Sequence, residues 1–267
     1  MRNAFPTLIA FTLVASSATV GAQSAESQGA VPAATASLLP KDFTAVSPAQ
    51  LDALIQRRLS RAPKVDPFAT PEMTAKARQR FELEAFPAET LNVILQPQFG
   101  KSDRDGSGCR LDYYPSDERL TFTTVLAQPN TRLGREHPEI RSLLILDSRT
   151  EDRGDASGTN RFGAAMSIAR FTTKRLAIAV DSPADFVART SGFVSISPEE
   201  ARRVVPRLRC VILLSPAVPG RAASSDTRPA TFDSPTQVTT DDTAFFGRVH
   251  GLWLIDPQAR RIFARSQ

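Results

Sequence analysis

Residues 175–215 read RLAIAVDSPADFVARTSGFVSISPEEARRVVPRLRCVILLS. Two Ser-Pro pairs, at 182 and 197, each place a capping residue before a proline, which is how many helices begin. Runs of apolar and β-branched residues stand before, between and after these pairs, as they do in strands. The stretch therefore predicts a strand at 175–181, a helix at 183–189, a strand at 193–196, a helix at 198–205 and a strand at 208–215.

Strand patterns continue on both sides of this stretch. β-branched, aromatic and aliphatic residues alternate with polar ones, and turn residues separate the runs. Strands are predicted at 81–86, 91–99, 109–114, 120–126, 141–147, 160–171, 244–255 and 261–265. A turn at 172–174 would join the strand at 160–171 to the one that begins at 175 as a hairpin.

Two further proline pairs predict helices near the start of the chain. Ser47-Pro48 precedes a run whose Leu and Ile residues share one helical face up to Arg61, and Thr70-Pro71 precedes a second helix ending near Arg80. Together these patterns predict an α+β fold, with a mostly antiparallel sheet or sandwich of about nine or ten strands and a few short peripheral helices.

Two polar stretches separate predicted strands. Residues 148–159 and 219–243 consist mainly of charged, hydroxyl-bearing, Gly and Pro residues, and both are interpreted as loops. The stretch 219–243 has few large apolar side chains, which predicts a mobile loop. Gly163, which follows the first stretch, is interpreted as the site of a β-bulge or of a close backbone approach inside the strand 160–171.

The first 46 residues differ in composition from the rest. Residues 1–22 have Arg2 as their only charge, followed by an apolar run and small residues up to Ala22, a pattern typical of a cleaved signal peptide. The apolar run is too short to span a bilayer. Residues 23–46, rich in Ala, Ser and Pro, predict a flexible tether, which leaves 47–267 as a single domain. We expect a periplasmic or secreted protein, cleaved near Ala22, with no membrane span.

The predicted export favours a disulfide between the two cysteines, Cys109 and Cys210. Each begins an apolar, strand-like run, and an oxidising compartment lets a lone pair of thiols join. Because the sequence has no C-x-x-C pair, it favours a structural disulfide over redox chemistry.

The overall composition excludes several classes of protein. The chain has 267 residues, 41% of them hydrophobic and 23% charged, which is typical of a globular protein. Its 33 Lys and Arg residues outnumber its 28 acids, for a net charge of +5. The arginines are scattered, and two of the three tight groups lie at predicted helix ends, so no nucleic-acid surface is predicted.

Side chains suited to catalysis are sparse. Neither His137 nor His250 belongs to a recognisable catalytic or zinc motif, and His250, in the apolar run 249–253, is interpreted as a structural strand histidine. Residues 103–108, Asp-Arg-Asp-Gly-Ser-Gly, have the alternating carboxylates of a calcium loop. Tyr114, however, stands where an EF-hand has its bidentate Glu, which favours a turn between strands. We predict no metal and no cofactor.

Three classes of function are compatible with these features. The leading hypothesis is an exported, non-catalytic protein of the cell envelope that binds another macromolecule, as an adaptor or inhibitor does. The second is an envelope hydrolase that uses carboxylates of the loops 103–112 and 147–155, for example Asp112 and Asp147, as acid and base. The third is a small-ligand carrier with an apolar cavity inside its sheet.

For the leading hypothesis, the predicted contact with the partner is at Arg161 and Phe162. The polar stretch 148–159 leads into these residues, and a bulge at Gly163 would fix their direction. An arginine beside an aromatic residue is typical of interface hot spots. The partner itself, a protein or another envelope component, is not identified by the sequence.

Overall fold

The stretch 175–215 contains strands and helices in the predicted order, within a larger β structure. The computed structural model describes residues 37–62, 68–86, 89–100, 106–159 and 163–266. The predicted signal peptide, 1–22, lies outside these residues. No helix among the described residues combines the length and apolar character needed to cross a bilayer.

Twelve strands and five α-helices account for most of the described residues. The strands are β1 (Ser37–Leu38), β2 (Leu91–Leu95), β3 (Gln98–Phe99), β4 (Cys109–Tyr114), β5 (Arg119–Thr124), β6 (Leu126–Ala127), β7 (Ser142–Thr159), β8 (Ala165–Val180), β9 (Gly192–Ser195), β10 (Arg209–Arg228), β11 (Thr236–Asp256) and β12 (Arg261–Arg265). The helices are α1 (Pro48–Leu59), α2 (Pro71–Ala85), α3 (Thr131–Glu136), α4 (Pro183–Arg189) and α5 (Pro198–Val204). The α+β prediction is confirmed.

The larger sheet has eight strands arranged around β11. One side of β11 pairs with β10 along almost its whole length. Its other side pairs with β8 through 236–245 and with β12 through 253–256. The sheet continues from β8 to β7 and β6, from β12 to β1, and from β10 to β2. Within it, β8 and β11 are the parallel pair.

The smaller sheet, in the order β3-β4-β5-β9, packs against one face of the larger one. Leu111, Leu120 and Phe122 of the smaller sheet share the main core with Ile212 and Leu254 of the larger sheet. Helices α1 and α5 add buried residues to the same core. The sandwich therefore positions the outer face of β4, β5 and β9 toward solvent.

The predicted disulfide is confirmed, and it joins the two sheets. Cys109 begins β4, Cys210 lies near the start of β10, and both are fully buried. Their Cα atoms are 6.5 Å apart, within the range that a disulfide spans.

The opposite face of the larger sheet has two smaller hydrophobic clusters. Leu133 of α3 packs on alanines of three neighbouring strands, Ala177, Ala222 and Ala244. Leu39 packs near the other end of the sheet with Ile255.

The last ten residues of the segment 23–46, predicted as a tether, are part of the fold. Ser37 and Leu38 pair with β12, Leu39 is buried, and Val46 bridges to Val93. The apolar side chains at 39, 43 and 46 explain this difference, since they pack on the sheet. The part of the predicted tether before 37 lies outside the described residues.

The strand predicted at 81–86 is wrong, because α2 continues through Ala85. The alternating sequence FELEAF also fits a helix, and the surrounding residues are good helix formers. Ion pairs at i,i+4 spacing extend along the helix, from Lys76 to Glu72 at 3.0 Å and from Arg80 to Glu84 at 2.9 Å.

Both polar stretches predicted as loops are strands. Residues 148–159 lie in β7, and 219–243 lies mostly in β10 and β11, which leaves a connection at 229–235. The hairpin at 172–174 is also wrong, since β8 runs through these residues. A strand solvated on both faces lacks apolar alternation, so its pattern resembles that of a loop. The backbone hydrogen bonds between such strands form nonetheless.

These strands form a four-stranded extension in the order β7-β8-β11-β10, which we call the arm. The arm comprises 149–159, 165–174, 223–228 and 236–241, and none of its residues is buried. At its base the Asp242 carboxylate, with no exposed surface, accepts from Arg175 Nε at 2.6 Å and from the backbone N–H of Asn130 at 2.7 Å. This buried pair marks where the hydrophobic core ends and the arm begins.

Candidate functional site

The outer face of the smaller sheet presents an arginine between two aromatic rings. Tyr114 ends β4, Arg119 begins β5 directly opposite it, and Phe193 lies in β9. Side chains alternate between the faces of a strand, so all three point away from the core that Leu120 and Leu111 enter. We call these three residues the aromatic face.

The geometry of the aromatic face is that of a cation between two π-systems. The Arg119 guanidinium carbon lies 5.6 Å from the centroid of the Tyr114 ring and 5.7 Å from that of Phe193. Tyr114 is 44% exposed. Because such contacts act through the ring faces, the guanidinium N–H groups stay available for a carboxylate. Among the described residues no acid pairs with Arg119.

A neighbouring arginine on the same face is already neutralised. Arg110 Nε lies 2.8 Å from Asp112 Oδ2, and a second N–H of Arg110 donates to Oδ1 at 3.0 Å. Arg119, by contrast, has no carboxylate partner in the described part of the chain, and it favours a negatively charged ligand.

A groove of about 320 Å³ opens near the same end of β4. Its walls are mainly apolar and come from the end of β4 and from α5: Tyr113, Pro115, Pro198, Ala201, Arg202, Val205 and Pro206. Tyr113 donates from its hydroxyl to the Ile196 carbonyl at 3.2 Å. Burial raises the pKa of that hydroxyl, Glu118 raises it further and Arg202 lowers it, so Tyr113 remains a donor at neutral pH. The groove lies at the surface, whereas the carrier hypothesis required a cavity inside the sheet.

The carboxylates proposed for a hydrolase lie in different surroundings. Asp112 is paired with Arg110 on the outer face of the smaller sheet. Asp147 lines a cleft of about 360 Å³ with residues such as Ser47 and Gly106, a lining that does not include Asp112. The first part of the calcium-like sequence, 103–105, lies outside the described residues.

His250 is the extra residue of a β-bulge, because Leu213 pairs with Gly251 while Leu214 pairs with Val249. Its Nε2 is 2.9 Å from Ser215 Oγ, which lies 3.1 Å from Thr90 Oγ1. Within the described part of the chain, no carboxylate contacts Nδ1, so His250 lacks the third group that orients a catalytic base. The hydrogen bonds connect β10 and β11 to the residue before β2.

We expect His250→Ala to lower the free energy of unfolding by about 1 kcal/mol or less, the usual contribution of one hydrogen bond. Urea denaturation measures the change. Ser215→Ala should have a similar effect, and the double variant should lose no more than the larger single loss. A His250→Ala protein that keeps its melting temperature but loses a demonstrated activity would contradict a structural role.

Arg161 and Phe162, the predicted contact residues, lie outside the described residues. The bulge predicted at Gly163 is wrong, because Gly163 precedes β8 in the β7–β8 connection and has φ +81°. The left-handed backbone conformation at this position explains the glycine. The β7 bulge with a left-handed glycine is instead at 153–154, where the register shifts between Asp152 and Asp155.

The pattern of the sequence does not reveal the aromatic face. Both strands, 109–114 and 120–126, were predicted, and their alternation already puts Tyr114 on the face opposite Leu111. The pattern does not reveal which face another sheet covers, since both carry large side chains. Nor does it place β9, which supplies Phe193, beside β5.

Comparisons with known proteins add no relative. The chain matches no protein-family model, no curated protein and no solved structure.

Proposed function

We propose that the protein is an exported binding protein that engages an acidic surface of another cell-envelope protein through the aromatic face. The observation that carries the proposal is the unpaired Arg119 guanidinium held between Tyr114 and Phe193. Tyr and Arg are enriched among the residues that dominate binding energy in protein interfaces.

The charge of the chain supports an acidic partner. The net charge is +5, and Arg110 is neutralised by Asp112, which leaves Arg119 to meet a carboxylate. An arginine already ordered by two rings loses less side-chain freedom on binding than a free one, which strengthens the contact.

Two features support a place outside the cytoplasm. The buried Cys109–Cys210 disulfide is compatible with export, since such bonds persist in oxidising compartments. The first 22 residues have the composition of a signal peptide. We infer a periplasmic or secreted location.

The test begins by finding what lies against the aromatic face. A photo-cross-linking amino acid replaces Tyr114 in the full chain, in the native cells. A matched chain carries it at Arg135, an exposed position on α3 in the other layer of the protein. We expect one distinct protein adduct from position 114 that position 135 does not give, and Arg119→Glu should abolish it.

Calorimetry with the captured partner then measures the contribution of the face. We expect Arg119→Ala and Tyr114→Ala each to weaken binding about tenfold or more, as hot-spot truncations do, and high salt to weaken it further. Arg135→Ala removes the same charge elsewhere and should leave the affinity unchanged. Equal binding by all three variants would place the contact on another surface.

A further inference from the structure

The two outer edges of the arm differ in how open they are to another strand. The β7 edge has a bulge with a left-handed Gly154 (φ +71°). It also carries a dense series of charges: Arg149, Glu151, Asp152, Arg153 and Asp155. Bulges and charges are features by which proteins prevent edge pairing.

The β10 edge has no bulge between 221 and 228 and carries fewer charges. Residues 221–228 pair with 238–245 in one unbroken register, and 222–225 are Ala, Ala, Ser and Ser. Strand β2 covers this edge only as far as Leu214. Among the described residues, no backbone pairs with the outer side of β10 at 222–228.

Two contacts show which backbone groups point outward. Thr227 and Thr239 are opposite each other on β10 and β11, and their hydroxyls lie 3.0 Å apart. In antiparallel sheets, side chains are this close in the pairs that do not hydrogen-bond to each other, whose backbone N–H and C=O groups point away from the partner strand. Asn130 Nδ2 donates at 3.1 Å to the carbonyls of both Ser224 and Thr240, so these carbonyls lie between β10 and β11. Backbone direction alternates along a strand, and the N–H and C=O of Ser225 and Thr227 therefore point outward.

We propose that two copies of this chain associate edge to edge through β10, antiparallel, with a two-fold axis at Thr227. The outward N–H and C=O of Thr227 then exchange two hydrogen bonds with those of the second copy. Two four-stranded arms become one eight-stranded sheet.

Charge selects this register. With the axis at Thr227, Asp226 lies opposite Arg228 of the second copy, and the pair occurs twice because the interface is symmetric. An axis at Asp226 would instead place the Asp226 carboxylates of the two copies opposite each other, where they would repel. Arg228 is exposed and has no acceptor among the described residues, so it is available for this pair. The overlap ends at Pro229, which has no N–H to donate.

Helix α3 packs on the face of the sheet that carries Asp226. Its contacts with β10 reach Asp226, where the Thr131 N–H donates to the carboxylate at 3.2 Å. The second copy lies beside the edge at 225–229, toward the tip of the arm. The association does not rest on the proposed function, because the aromatic face lies on the other sheet.

Disulfide trapping tests the register directly. Thr227→Cys places two thiols across the axis with Cα atoms about 5.5 Å apart, within disulfide reach. Cys109 and Cys210 are joined to each other and do not compete. We expect rapid formation of a covalent dimer in mild oxidant. Ser225→Cys is the matched control, since its thiol lies opposite Pro229 of the second copy, and it should cross-link at least about tenfold more slowly.

Sedimentation analysis of the uncross-linked chain measures the association itself. We expect a concentration-dependent dimer that Arg228→Asp weakens about tenfold, and that Asp226→Arg/Arg228→Asp restores. Arg153→Asp, on the β7 edge, should not change it. A monomer at all concentrations, equal trapping at 225 and 227, or a dimer indifferent to Arg228→Asp would each overturn the proposal.

Discussion

Replacement of both cysteines, Cys109→Ala/Cys210→Ala, is expected to lower the free energy of unfolding by about 4 to 5 kcal/mol. The bond closes a long loop, since its cysteines are 101 residues apart, and the cross-link restricts the unfolded chain accordingly. It also connects the two sheets where both side chains are fully buried. Typical domains have a net stability of about 5–15 kcal/mol, so this loss takes the protein close to unfolding at ambient temperature.

Urea denaturation followed by circular dichroism measures this loss. The wild-type chain in strong reductant should behave like the double variant, and reductant should leave the double variant unchanged. A double variant within about 1 kcal/mol of the wild type would show that the unfolded chain is already compact without the bond.

Asp242→Ala is expected to lower the free energy of unfolding by about 3 to 5 kcal/mol, the usual cost of leaving one member of a buried ion pair without its partner. Arg175 is only 17% exposed and would keep its charge at the base of the arm. The substitution also removes the acceptor of the Asn130 backbone N–H, a hydrogen bond that holds the start of α3. The predicted effect is larger than that of most single substitutions.

Two variants separate this effect from a general loss of charge. Asp241→Ala removes the adjacent carboxylate, which has no ion pair among the described residues, and should change stability by less than about 0.5 kcal/mol. Arg175→Met/Asp242→Leu removes both charges and should recover part of the loss, since apolar pairs replace buried ion pairs well. Equal losses for Asp241→Ala and Asp242→Ala would contradict the importance of burial here.

The parts of the fold that could be predicted are those set by local chemistry. Ser197 accepts from the Glu200 amide as the capping pattern requires, and α5 begins at Pro198. The disulfide followed from the presence of two cysteines in a chain with a signal-like start. These features depend on residues a few positions apart or on a single possible pairing.

The arm and the aromatic face could not be predicted, because they depend on strands that are solvated on both faces and on pairing between strands far apart in the sequence. The parts of the arm in β7, β10 and β11 have the pattern of a loop because Thr, Ser, Asp and Arg predominate on both faces, and hydrogen bonding between strands does not require apolar side chains. The aromatic face depends on β9 joining β5 through Phe193 and Thr121. Periodicity within one strand gives its two faces but not its neighbours.

The position of β11 determines when the sheet can be completed during synthesis. This second-to-last strand pairs with β8, β10 and β12, and β1 at the start of the described chain pairs with β12 at its end. Most of the larger sheet therefore forms only after residues 236–265 have been synthesised. Such non-local pairing slows folding and leaves the edge of β8 exposed in the growing chain, where it is open to wrong partners.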